Sequence, residues 1–309
     1  MKHVIRTELI LRLVVVVIGI LGSGLGSSRA FAGAWNMESY GDSITAGFLD
    51  RTQLAPQPNL NLVNEAFNGV LFNADSLKRL MDNRLAWPSV LLRDFVRPEE
   101  GHLTNMAVSG ALTQDLVSQV NALSAPDPQG HAFFFIGHND LCNRSESPET
   151  LARIYYTQYH EALAAWDAKH VGGTADLLPI FDIPKVYDAL HSYIWFKAGS
   201  KQYGCVTSWT FLFPYCPKNY DRYLEGTLAS ILEPQRDAMN AELGRLAQEW
   251  TQQSKNHNVY RYLKQPFTQE LEPSFFAIDC YHPSAFGQKI LAHGVYERML
   301  SQESARSEN

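Results

Sequence analysis

Two stretches far apart in the chain carry the residue types of nucleophilic catalysis. Gly41-Asp42-Ser43-Ile44-Thr45-Ala46-Gly47 offers a hydroxyl in a glycine-bounded turn, and Asp279-Cys280-Tyr281-His282-Pro283 offers a carboxylate and an imidazole three residues apart. A serine hydroxyl is a weak nucleophile until a base takes its proton, and an imidazole becomes that base when an acid orients it. At i, i+3 spacing one turn of chain brings Asp279 to His282 Nδ1–H and leaves Nε2 for Ser43. Taken alone, each stretch also has a plainer reading. Gly-Asp-Ser is ordinary turn and cap chemistry, and in a chain with ten histidines an Asp-x-x-His pair is unsurprising.

Attack on an ester carbonyl builds negative charge on oxygen, which needs fixed donors. The start of a helix at Ser43 supplies its own N–H. Gly110, in Asn105-Met106-Ala107-Val108-Ser109-Gly110-Ala111, lacks a Cβ and lets a backbone N–H approach substrate, and Asn139, in Gly137-His138-Asn139-Asp140, adds a side-chain amide donor. The expected site is therefore Ser43, Asp279 and His282 as nucleophile, orienting acid and base, with Ser43, Gly110 and Asn139 as the oxyanion hole. Asp42 and Asp140 are assigned turn roles, and His138 is expected at the rim.

These parts meet only if strand ends deliver them to one edge. Short apolar runs at Leu103–Val108, Ala132–Ile136, Leu177–Ile183 and Val259–Leu263 read as strands, with a less apolar first strand at Trp35–Tyr40 that contains Asn36 and Glu38. Pro179 breaks the fourth run, which marks an edge or a strand beginning at Ile180. Helical patterns lie between: one from Trp87-Pro88, one after Ser147-Pro148, one from about Pro234 and one after Ser284. Alternation of this kind predicts a parallel sheet covered on both faces, with ligands beyond the carboxyl ends of the strands.

The chain has 309 residues, 45% hydrophobic and 19% charged, the composition of a packed globule. Its first 32 residues read as a secretion signal, with a basic start, an apolar run from Leu13 to Leu25 and Ala30-Phe31-Ala32 before Gly33. Cleavage after Ala34 fits nearly as well. Losing the leader's net +3 takes the formal charge from −6 to −9, the wrong sign for a nucleic-acid partner. A single domain is expected over 33–300, with a flexible tail over 301–309.

Export places the protein in a periplasm or outside the cell, where the four cysteines are free to form two disulfides. Of three pairings, Cys205–Cys216 with Cys142–Cys280 is favoured, because the first pair lies ten residues apart in a loop-like stretch and the second flanks two candidate catalytic segments.

In order along the chain, Gly-Asp-Ser, Ala-Val-Ser-Gly, Gly-x-Asn-Asp and Asp-x-x-His-Pro resemble the four blocks of the SGNH hydrolases, also called GDSL esterases and lipases. Ser43, Gly110, Asn139 and His282 match the naming letters, and Ala86-Trp87-Pro88 is similar to the helix that follows the family's first block. The resemblance implies a three-layer α/β/α sandwich with a central parallel, flavodoxin-like sheet, and ester hydrolysis through an acyl-serine with no metal or organic cofactor. Gly137–Cys142 and Asp279–Ser284 look most like the phospholipase B branch, in which a glycine usually stands where this chain has His138. The blocks leave Phe48–Arg84 and about 187–226 as insertions.

The second insertion is rich in aromatics, among them Tyr193, Trp195, Phe196, Tyr203, Trp209, Phe211, Phe213 and Tyr215, and is expected either to wall an acyl-chain cleft or to pack on the core. Gly-x-Ser-x-Gly is missing from the mature chain, as are His-Glu-x-x-His and the phosphate-loop motif. The reading is an exported, monomeric serine esterase acting on phospholipid or lysophospholipid acyl esters, with at most transient contact with a membrane surface. A carbohydrate O-acetyl esterase and a non-catalytic binding protein of the same fold are the alternatives.

Overall fold

A computed structural model describes residues 35–47, 84–96, 101–198, 201–212, 216–264, 271–277 and 279–307. The leader, residues 48–83 of the first insertion, and Phe213 and Tyr215 lie outside the described residues. The strands are β1 (Trp35–Gly41), β2 (Gly101–Asn105), β3 (His131–Phe135), β4 (Thr174–Leu177), β5 (Ile194–Ala198), β6 (Lys201–Gly204) and β7 (Val259–Tyr262). The helices are α1 (Ser43–Ala46), α2 (Trp87–Val90), α3 (Leu116–Ala122), α4 (His138–Asn143), α5 (Pro148–Asp167), α6 (Ile183–Leu190), α7 (Pro217–Leu224), α8 (Leu228–Gln253) and α9 (Ala285–Ser307).

Five strands pair in parallel in the order β2-β1-β3-β4-β7, and β5 and β6 form a separate antiparallel hairpin inside the second insertion. Counting the sheet strands alone gives 2-1-3-4-5, the flavodoxin-like order. Strand β3, at the centre, reads His-Ala-Phe-Phe-Phe and is buried throughout. Its alternation sends Phe133 and Phe135 to Trp87 of α2 on one face, and Phe134 to Trp166 of α5 and Tyr40 on the other. Helices α3, α5 and α8 pack together, while α9 packs with α2, which completes three layers. The polar first strand has a structural cause: the buried Glu38 accepts from Tyr40 Oη at 2.7 Å and Trp166 Nε1 at 3.1 Å and lies 3.0 Å from His170 Nε2.

Four local expectations are corrected. The fourth strand is Thr174–Leu177, upstream of the apolar run, because Asp176 is satisfied inside the sheet by Arg261 of β7, at 2.6 Å to each carboxylate oxygen. Pro179 lies beyond the strand end, and the second strand likewise begins two residues earlier than the apolar run, at Gly101. The third helix starts at Leu228 and carries Pro234 inside it. The stretch from Ser301 to Ser307 continues α9 where a loose tail was expected. Ser147 behaves as expected: its hydroxyl accepts from Thr150 N–H at 3.4 Å and Pro148 opens α5.

The disulfide expectation is also overturned: the bridges are Cys142–Cys216 and Cys205–Cys280, with Cα separations of 5.1 and 5.4 Å. Each ties the second insertion to a segment at the sheet's carboxyl edge, one to α4 and the other to the loop holding Asp279 and His282. Trp209 and Tyr223 both pack against Tyr187, and Tyr220 against Trp209, with Tyr223 at the margin of the core, so this part of the insertion packs as structure.

Candidate active site

Strand β1 ends at Gly41, where an added Cβ would lie 2.4 Å from Phe135 O and 2.6 Å from Thr45 Oγ1, so only glycine fits the turn into α1. Buried Gln119 of α3 holds that glycine at both main-chain groups, accepting from its N–H and donating to its carbonyl at 2.8 Å each. Asp42 caps α1, its Oδ1 accepting from Ile44 N–H at 3.0 Å, and Ser43 is the first residue of that helix. Buried Gln288 of α9 then locks the turn from the other face, donating to Ile44 O at 3.1 Å and accepting from Trp87 N–H at 2.9 Å. Neither glutamine was singled out from sequence, although a glutamine between Leu116 and Val120 on an apolar helix face is a visible sign of a buried partner.

The C-terminal loop folds back on itself through Ala277 N–H to His282 O at 2.7 Å and Ser284 N–H to Phe275 O at 2.8 Å. Cys280 holds a left-handed φ of 59°, which an L-residue adopts at a cost, and its disulfide and the Trp209 Nε1–H bond to its carbonyl at 3.3 Å keep it there. Asp279 is wholly buried: Oδ1 accepts from the N–H groups of Tyr281 and His282 at 3.1 Å each, and Oδ2 accepts from His282 Nδ1. An acceptor-only carboxylate there places the ring proton on Nδ1, so His282 Nε2 accepts from the Ser43 hydroxyl at 2.7 Å. Burial first, then Tyr187, Asp42 and Asp279, push the Tyr281 phenol far above its ordinary range, which keeps this neighbour neutral.

The other two expected residues belong to one connected frame. Gly110 has φ +84 and sits in a turn closed by Ala111 N–H to Val108 O at 3.1 Å, and Val108 N–H bonds Gly41 O at 3.1 Å, which seats the turn on the strand end before Ser43. Asn139 donates one amide hydrogen to Ala111 O at 3.0 Å, leaving the other for a ligand. Asp140 has the structural role assigned to it. It accepts from Thr113 N–H and Oγ1 at 3.0 Å and pairs with Arg144 at 3.1 Å, while burial outweighs these partners and raises its carboxyl above the usual range. His138 is not at the rim. It is buried, with Nδ1 at 3.0 Å from Asp42 Oδ2, because α4 turns its first residue inward beneath α1.

Beyond Pro283 a cleft of about 840 Å³ opens along the same edge. Among the described residues its walls include Ile180, Phe181, Val186, Leu271, Phe275 and Phe276, with Lys185, Arg236 and Asp237 also lining it. The 187–226 insertion is not part of that described lining.

A parallel five-strand sheet on an α/β fold thus carries a hydroxyl, an imidazole and a carboxylate hydrogen-bonded in series at its carboxyl edge. The chain belongs to the GDSL-like lipase/acylhydrolase family, whose model matches residues 40–295, and it is accordingly a hydrolase of the esterase and lipase class. No curated protein matches it. Similar solved structures include the extracellular lipase from Streptomyces rimosus, at 16% identity and TM-score 0.45, covering 86% of this chain and 99% of that one. Phospholipase A1 from Streptomyces albidoflavus has 16% identity and TM-score 0.47 over 87% and 99% of the two chains. The esterase EstA from Pseudoalteromonas sp. has 11% identity and TM-score 0.44 over 87% and 98%.

Proposed function

We propose that the protein is an exported serine esterase that cleaves phospholipid or lysophospholipid acyl esters through an acyl-serine intermediate. The observation that carries this reading is the bond of 2.7 Å between Ser43 Oγ and His282 Nε2, with Asp279 behind the ring. His282 takes the Ser43 proton as Oγ attacks the ester carbonyl, and Asp279 stabilises the imidazolium that forms. Ser43 N–H, Gly110 N–H and the free Asn139 amide hydrogen receive the oxyanion. His282 then gives its proton to the departing alcohol, and water, activated by the same imidazole, releases the acid.

The cleft beyond Pro283 supports an acyl substituent through its apolar walls, Ile180, Phe181, Val186, Leu271, Phe275 and Phe276, while Lys185, Arg236, Asp237 and Lys264 line it with charge. The leader and the two disulfides support export, and no helix among the described residues is long and apolar enough to cross a membrane. The protein acts as a monomer, touching lipid surfaces transiently.

A phosphonate probe and an ester panel test the reading. Wild type is expected to be labelled at Ser43 and Ser43→Ala to stay unlabelled, with turnover highest on long p-nitrophenyl esters and lysophosphatidylcholine. Labelling of neither protein would make it a binding protein that keeps the fold. Activity confined to acetyl esters and acetylated xylan would make it a polysaccharide deacetylase.

A further inference from the structure

Beneath the candidate nucleophile lies a second histidine–carboxylate pair that the ester-cleavage scheme leaves unused. Asp42 and His138 are both buried, and their contact joins the end of β1 to the start of α4 across 96 residues of chain. The two oxygens of Asp42 face different partners: Oδ1 caps α1 at Ile44 N–H, and Oδ2 faces His138 Nδ1, each at 3.0 Å.

The far side of the ring is specified as well. His138 Nε2 faces Phe181 N–H at 3.4 Å, and a backbone N–H can only donate. Nε2 is therefore the acceptor, the ring proton sits on Nδ1, and the imidazole is neutral and donates to Asp42. Phe181 packs against the ring with centroids 4.3 Å apart, and Phe135 meets it edge-on at 4.9 Å, so neither ring flip nor tilt is free. Phe181 is in turn a wall of the apolar cleft.

From this we infer that His138 is a positioning residue for Ser43: through Asp42 it fixes the first turn of α1, and with it the Ser43 hydroxyl and backbone N–H, relative to α4 and the cleft wall. The inference rests on the reading of Ser43 as nucleophile. A carboxylate one residue from an oxyanion donor repels the charge that forms there unless its own charge is drawn elsewhere. The Ile44 N–H and the His138 Nδ1–H do this, and they also prevent Asp42 from turning toward the hydroxyl. The next residue after His138 is Asn139, so one rigid segment carries both the amide donor and the support of the nucleophile turn.

The test compares kcat per phosphonate-titrated site in wild type, His138→Leu, His138→Asn and Asp42→Asn, with thermal melts to establish folding. His138→Leu fills the box but donates nothing, and kcat is expected to fall 10- to 100-fold, the usual scale for a lost orienting partner, with KM within about threefold. In His138→Asn the introduced amide can place a donor where the ring Nδ1–H stood, so this variant is expected to recover most of that loss. The Asp42→Asn and His138→Leu losses are expected to be non-additive, because both break one contact.

A His138→Leu enzyme that titrates fully and keeps wild-type kcat would overturn the inference. So would a folded His138→Asn as impaired as His138→Leu, or losses that multiply in the double variant. Should His138→Leu fail to fold, the His138→Asn variant and the Asp42→Asn cycle still decide. Failure of wild type to label at Ser43 would instead refute the nucleophile reading itself, a separate result.

Discussion

Removal of the Cys205–Cys280 bridge measures how firmly the insertion holds the loop of Asp279 and His282. The bridge closes a loop of 75 residues, and the loop-entropy relation converts that length to about 4.5 kcal/mol at 25 °C, the upper part of the roughly 2–5 kcal/mol typical of native disulfides. Since Cys142–Cys216 does not shorten the path from 205 to 280, the estimate stands with that bridge intact.

The native side adds a second effect. If the Trp209 bond alone holds position 280 at its left-handed φ of 59° once the bridge is gone, an alanine there is strained by roughly 1–2 kcal/mol, whereas glycine is not. The double variant Cys205→Ala/Cys280→Ala is thus expected to lose about 2–4.5 kcal/mol in urea unfolding, and Cys205→Ala/Cys280→Gly to lose measurably less. Turnover per labelled serine should fall by roughly tenfold in the alanine pair, as His282 loses its aim. Stability of the alanine pair within about 0.5 kcal/mol of wild type, the scatter of an independent surface change, would refute the reasoning. A glycine pair weaker than the alanine pair would refute the strain at 280.

His282→Gln should lower kcat by about 10³ or more at unchanged fold, measured on a long p-nitrophenyl ester. Because only the neutral imidazole can take the Ser43 proton, wild-type kcat/KM should decline on acidification, and a rate that stays level down to pH 5 would contradict the base assignment. Gln288→Leu leaves Trp87 N–H and Ile44 O without a side-chain partner in the core and should cost about 1–3 kcal/mol in denaturant titration, with lowered kcat because α1 is released. Burial pushes the Asp176 carboxyl up, but Arg261 and His131 outweigh it and hold the group below its ordinary value. A depressed carboxyl stabilises the fold above its unfolded value of about 3.9, and that contribution is lost as pH falls through the folded value. Arg261→Met should therefore cost about 3–5 kcal/mol at neutral pH and flatten the acid limb of stability, both read by denaturant titration at several pH values.

The parts of this protein legible in sequence are those whose cause is local. A hydroxyl after Gly-Asp, a carboxylate three residues before an imidazole, Ser-Pro opening a helix and an apolar Phe-Phe-Phe run are each written within a few residues, and the parallel pairing of the strands follows from their alternation with helices. What was misread depends on a distant partner. The fourth strand was placed too late, because Arg261, 85 residues on, is what lets Asp176 sit inside the sheet. His138 looked like a rim residue because Asp42 lies 96 residues back. The cysteines followed the same rule: ten residues of spacing favoured a local bridge, but the insertion is threaded between α4 and the loop of Asp279 and His282, so each cysteine of its pair finds a partner on a different side of the site.

These errors share a direction. Each left a polar or sulfur-bearing group outside the sheet, at the rim or with its neighbour in sequence, whereas the fold buries it against an element from another part of the chain. Buried polar groups need partners, and a parallel sheet draws its neighbours from distant crossovers. For this architecture, a polar residue on an otherwise apolar face is therefore better read as evidence of a remote contact than as a break in the pattern. Gln119 and Gln288, which hold the two ends of the Gly41–Ile44 turn from opposite faces of the sheet, would have been found by that rule.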